Sequence, residues 1–80
     1  MNEEELKRTV FKELKRIAPD TEPETLGPDD DIRRTLDIDS FDFLQFIVAL
    51  TGKTGIDIPE QDYGKIATLK GMLKYFRVKA

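Results

Sequence analysis

Leu36-Asp37-Ile38-Asp39-Ser40-Phe41-Asp42-Phe43-Leu44 carries the chain from a polar loop into a long apolar run. Aspartate is a natural helix N-cap, because its carboxylate accepts from backbone N–H groups that the first helical turn leaves unpaired. Asp39 therefore starts a helix, and Ser40 is its first residue. A hydroxyl there projects from the helix end that bears free N–H groups and partial positive charge, which suits an anion such as phosphate. In isolation, Asp-Ser before an apolar run is usually just a cap. The helix is predicted to run from Ser40 to about Thr51, with Gly52 closing it. Phe41, Phe43, Leu44, Phe46, Ile47, Val48, Ala49 and Leu50 cover most of its circumference. Such a helix is either central in a bundle or exposes a contact surface.

Before this segment, Leu6, Val10, Phe11, Leu14, Ile17 and Ala18 recur at helical spacing between Glu3 and Ala18. Glu3 to Glu5 suit the positive end of that helix, Lys15 and Arg16 suit the negative end, and Pro19 stops it. Pro19 to Asp39 has no sustained periodicity. A loop this long tends to be functional. Leu26, Ile32, Leu36 and Ile38 are expected to pin it to the core, with a short turn near Glu22 to Leu26. After the apolar helix, Gly55 and Pro59 bracket Ile56-Asp57-Ile58. This reads as extended loop, since a lone strand has nothing to pair with. A short helix is expected over Glu60 to Gly64, with Pro59 at its start. Thr68 caps a last helix that turns Leu69, Met72, Leu73 and Phe76 inward. The architecture expected is all-α: a small four-helix bundle of three main helices and one short one, with a long loop between the first and second.

Eighty residues make one small domain, 1–80, with a thin core. There is no cysteine and no histidine. Disulfides, thiolate metal sites and Ser-His-Asp catalysis are thereby excluded, and Ser40 has no obvious base to deprotonate it. The chain does not read as an enzyme. The longest unbroken apolar run, Phe46 to Leu50, is too short to span a bilayer, and no signal peptide is visible, so a cytoplasmic protein without membrane insertion is expected. Residues 1–40 hold 7 Lys/Arg against 12 Asp/Glu, while residues 41–80 hold 6 against 4. The acidic half argues against nucleic-acid binding across the whole surface.

Three segments, in order and in spacing, resemble the acyl carrier proteins. Asp39-Ser40-Phe41-Asp42 is similar to the family's Asp-Ser-Leu attachment motif, and Ile56-Asp57-Ile58-Pro59-Glu60 to its Ile-x-Ile-Pro segment. Lys65-Ile66-Ala67-Thr68-Leu69 resembles the entry to the family's last helix. The resemblance covers Ile32 to Phe76. It implies a 4′-phosphopantetheine arm on Ser40, donated by coenzyme A through a phosphopantetheinyl transferase that Asp39 helps to bind. It also implies acyl groups held as thioesters and presented to acyl-loading and acyl-transfer enzymes by a monomeric carrier. On this reading the missing His and Cys make sense, because partners perform the chemistry and the arm brings the thiol. An acyl chain partly buried between the helices is expected, at about 0.8 kcal/mol per buried CH₂. Phe11, Phe46, Phe76 and Tyr63 would keep that cavity small.

The chain departs from the family pattern around the motif. Asp37 stands where a glycine is usual, and Phe43 where a small polar residue is common. Gln45, Thr51, Gly52 and Lys53 occupy positions where acids are common, and Thr54 and Gly55 replace an aromatic and an acid. The acidic face is reduced to Asp39, Asp42 and Glu60. A specialised lipid or secondary-metabolite carrier is therefore expected, read by its partner through Phe41, Asp42, Phe43, Gln45 and Glu60. The competing reading of Phe43 is packing against the long loop. Two functional alternatives remain: an aminoacyl or polyketide carrier, and an unmodified helical interaction module of the same fold. Asp29-Asp30-Asp31 lacks the glycine and distal Glu of an EF-hand and reads as solvated loop. Lys70, Lys74 and Arg77 share one face of the last helix and read as a solvated stripe favourable to the helix dipole, with phosphate binding as the alternative. Tyr63 and Tyr75 read as half-buried packing residues.

Overall fold

In the computed structural model, which describes residues 2–79, four α-helices and two 3₁₀ segments enclose one apolar core, and there is no strand among the described residues. Helix α1 spans Glu3–Ile17, α2 Ile32–Leu36, α3 Ser40–Thr54 and α4 Leu69–Lys79. The 3₁₀ segments are Pro23–Thr25 and Glu60–Ile66.

α1 begins in a capping box: Glu5 N–H donates to Asn2 Oδ1 at 2.8 Å, and Asn2 N–H donates to Glu5 Oε1 at 3.2 Å. Its apolar stripe buries Leu6, Val10 and Leu14 against α3 and α4. Glu13 is also buried there, with Oε1 held by Arg16 at 2.8 Å. α4 starts at the expected Thr68, whose Oγ1 accepts from Gly71 N–H at 3.0 Å. Leu69, Met72 and Phe76 are buried as expected, while Leu73 is half-buried.

Several boundaries differ from those read in the sequence. α3 continues past Gly52 to Thr54, because Gly55 and not Gly52 adopts the left-handed conformation, φ 73°, that ends a helix. The short helix after Pro59 is a 3₁₀ segment that reaches Ile66. Tyr75 is buried and not half-buried, since its hydroxyl finds an acceptor in Asp62 Oδ2 at 2.8 Å.

The long connection between α1 and α3 holds more structure than its irregular sequence suggests. Asp31 caps α2, accepting from Arg34 N–H at 2.9 Å, and Asp37 ends it with φ 54°. Leu26, Ile32, Leu36 and Ile38 all point into the core, as expected. Two backbone bonds then tie this connection to the entry and first turn of α4: Ile32 N–H donates to Ala67 O, and Lys70 N–H to Pro28 O, each at 2.9 Å. The second of these satisfies a first-turn N–H of α4 that its own helix cannot use.

Candidate functional site

Ser40 is the first residue of α3 and is exposed. The capping work is done by Asp39, whose Oδ1 accepts from Asp42 N–H at 2.8 Å. Ser40 Oγ is therefore not needed to close the helix end and stands at its positive pole. The approach to it is held by packing on both sides of the loop: Leu36 and Ile38 are buried, and between them Asp37 turns through the left-handed region. Ile38 N–H donates to Arg33 O at 2.9 Å, which locks the short link, Asp37 to Asp39, between α2 and α3.

Beside Ser40 runs a groove of about 360 Å³ between α3 and the Glu60–Ile66 segment. Phe43, Leu44 and Ile47 form one wall, Tyr63 and Gly64 the other, and Arg33 stands at its edge. The hydroxyl thus opens onto a largely apolar channel that one cation, Arg33, and one carboxylate, Asp31, also line.

The residues read as partner contacts divide. Phe41 is 65% exposed, Gln45 and Glu60 are exposed, and Asp42 is half-exposed. Phe43 is a correction: it is only 7% exposed and packs against Phe46 at 5.7 Å between ring centroids. It cannot be a surface that a partner reads, because two residues of helix turn it about 200° away from Phe41. The exposed apolar stripe is instead Phe41, Leu44 and Val48, the last two 45% and 63% exposed. Their spacing of three and four residues places them on one face, but the buried Phe43, Phe46, Ile47 and Leu50 share that spacing, so it does not say which face is exposed.

No cluster of metal-ligating side chains occurs among the described residues. Asp30 and Asp31 serve the backbone, accepting from Gly27 N–H at 2.8 Å and from Arg34 N–H at 2.9 Å.

Comparison with known proteins decides the family. The family described as a phosphopantetheine attachment site matches residues 4–76. The chain belongs to the acyl carrier proteins. An acyl carrier protein of Helicobacter hepaticus is 32% identical over 72 residues, covering 90% of this chain and 88% of that one. One from Thermosynechococcus vestitus is 28% identical over 73 residues, covering 88% and 90%. Another, from Campylobacter hominis, is 32% identical over 69 residues.

As a member of this family the chain is a carrier and not an enzyme, and its prosthetic group is a covalently attached 4′-phosphopantetheine. The structure fits that group: one exposed hydroxyl stands at a positive helix end, free of capping duty, with an apolar channel alongside. Carriers of this family meet transferases and acyl-handling enzymes. No helix of the described chain is long and apolar enough to cross a membrane.

Proposed function

We propose that Ser40 is the attachment point of the arm, and that this carrier serves a specialised lipid or secondary-metabolite pathway whose enzymes read an apolar face of α3. When attached, the arm supplies the thiol that holds an acyl group as a thioester. The chain's own residues do the rest. Asp39 holds the helix end in place and gives the transferase a carboxylate next to the acceptor hydroxyl. Phe41, Leu44 and Val48, with Gln45 beside them, form the surface that a partner covers while the arm is in use. Asp42 and Glu60 supply the charges at its margin.

The observation that carries the reading is the pairing of that exposed stripe with Ser40 on one helix. Three large apolar groups left in water on a small domain mark a contact surface. Docking of a carrier has to be reversible. A short stripe with few charges suits a small interface that releases readily. The groove beside Ser40 would shelter the upper part of the arm or a short acyl segment against Phe43, Ile47 and Tyr63.

Intact mass tests the attachment. The purified protein, incubated with coenzyme A and a promiscuous phosphopantetheinyl transferase, gains one phosphopantetheine, and Ser40→Ala gains none. Absence of an adduct on the unaltered protein favours the unmodified interaction module. Phe41→Ser tests the face: it leaves loading by the promiscuous transferase intact but lowers transfer to the cognate enzyme by at least about tenfold, the effect of one lost apolar anchor. Unchanged transfer rejects the apolar face.

A further inference from the structure

The cationic stripe on α4 lies outside everything assigned to Ser40, and the fold enlarges it. Lys70, Lys74 and Arg77 line one side of a groove of about 340 Å³, and Lys7 of α1 reaches it from the other. Leu26, Leu69 and Leu73 form its floor. A second depression of about 630 Å³ shares Leu73 and Arg77 with the first and adds Lys53 from the end of α3. Neither shares a residue with the groove at Ser40.

Charge in this region is one-sided. Glu3 is the one carboxylate lining both depressions, and it is engaged by Arg77 at 3.5 Å. Among the described residues, Lys7, Lys53, Lys70 and Lys74 form no ion pair with a carboxylate. Lys7, Lys70 and Lys74 thus line the smaller groove without a carboxylate partner, Lys7 lying 5.9 Å from the Phe11 ring centroid. Lys53 adds a fourth ammonium in the adjoining depression, in a chain whose net charge is −3. We infer that the α1–α4 groove is a second docking surface, and that its occupant is a protein segment in which acidic and apolar side chains alternate at helical spacing.

Charge complementarity names the sign of the occupant, and the shape names its kind. The apolar floor is recessed between two helices with the cations on its rim. A helix carrying Leu on one side and Glu on its flanks fills such a groove and meets its rim. A bilayer is flat and does not follow a floor recessed between two helices, where Leu73 is the half-buried residue left to cover. The chain's own acidic loop, Asp29 to Asp31, is a poorer occupant in a second copy, because Asp30 and Asp31 already accept from the Gly27 and Arg34 N–H groups. A docked partner here leaves Ser40 and the α3 stripe open, so the carrier could be tethered at one face while working at the other.

The test uses the full-length protein and a synthetic amphipathic peptide with Leu on one face and Glu on both flanks, followed by amide shifts in ¹⁵N spectra. Shifts confined to residues around Lys7, Lys53, Leu73 and Lys74 are expected. A peptide of equal charge with its Leu replaced by Ser should bind at least about tenfold more weakly, since it no longer buries the floor. Lys70→Glu with Lys74→Glu should abolish binding, and Lys70→Gln with Lys74→Gln serves if that pair does not fold. Ser40→Ala, which removes the proposed attachment point, should bind the peptide unchanged. Equal affinity for the Ser peptide, shifts spread over α3, stronger shifts with phosphatidylglycerol vesicles, or concentration-dependent self-association in sedimentation would each overturn the inference.

Discussion

Phe41 and Phe43 stand two positions apart on α3, one 65% exposed and the other 7% exposed. The difference sets their roles. Removing Phe43 leaves a hole beside Phe46 and one wall of the Ser40 groove missing. Phe43→Ser should cost about 3–5 kcal/mol in urea unfolding, the range for truncating a buried aromatic. Phe41→Ser should stay within about 0.5 kcal/mol of the unaltered protein. If Phe43→Ser proved neutral, the packing assigned to it would be wrong. Asp37 is a residue-scale cost of another kind. It holds φ 54° at the turn before Ser40, where a Cβ meets strain of about 1–2 kcal/mol. Glycine relieves that strain but gains freedom in the unfolded chain, so Asp37→Gly should stabilise by about 0.5–1 kcal/mol. Thermal unfolding measures the sign, and Asp37→Val should move in the opposite direction.

At the scale of elements, the joint between the Glu60–Ile66 segment and α4 matters most, since Tyr63 and Gly64 on that segment wall the Ser40 groove. Tyr75 donates to Asp62 Oδ2 at 2.8 Å, and Lys65 Nζ lies 3.3 Å from Asp62 Oδ1. The Tyr75 hydrogen bond, helped by Lys65 and Lys79 and opposed by burial, holds the Asp62 carboxyl below its ordinary value of 3.8. Burial, and after it the Asp62 carboxylate, pushes the Tyr75 hydroxyl above its ordinary 10.0. The Asp62 contribution is therefore full above the ordinary carboxylate value and is lost as pH falls through the lowered folded one. The Tyr75 contribution is full below 10.0 and is lost as pH rises through the raised folded value. Tyr75→Phe should lower Tm at neutral pH, and the gap should narrow toward both extremes. A gap constant across pH would show that the Tyr75–Asp62 hydrogen bond does not hold this joint. The same joint explains Gly71. Alanine is favoured in a helix by about 1 kcal/mol, but here a Cβ would stand 2.5 Å from the Lys65 carbonyl oxygen. Gly71→Ala should thus destabilise, by about 1–3 kcal/mol in the manner of other overpacked sites.

For the whole molecule, the radius of gyration of 11.3 Å is close to the roughly 12 Å expected of a compact chain this long, so the long loop is packed and not splayed. Residues from α1, the loop, α3, the Glu60–Ile66 segment and α4 meet in one buried cluster. Unfolding followed by helical circular dichroism and by tyrosine absorbance should therefore coincide in one transition. Separate transitions would mean that the joint between the Glu60–Ile66 segment and α4 opens on its own. Charge is also divided at this scale. The acids of the first half are partly spent on caps, as at Asp31 and Asp39, while the lysines around the α1–α4 groove are left without such duties.

Helices α1 and α4 were legible in the sequence because their apolar stripes and their Glu, Thr and Pro boundaries act within a turn or two. Ser40 was legible for the same reason, as the residue after an N-cap. α2 was missed: five residues carry too little periodicity to read, and its ends rest on Asp31 and on a left-handed Asp37, at a position that glycine usually marks. The overrun of α3 past Gly52 was missed because either of two glycines could have ended it, and only the one with positive φ does. By itself, then, the sequence determined the helical class, the principal caps and the three spaced segments that point to a carrier, all set by local backbone chemistry or by residue order. Only the tertiary structure decided which side of α3 faces water. Eight apolar residues around one helix have no direction of their own, and the neighbours that bury Phe43 and leave Phe41 exposed come from elsewhere in the chain.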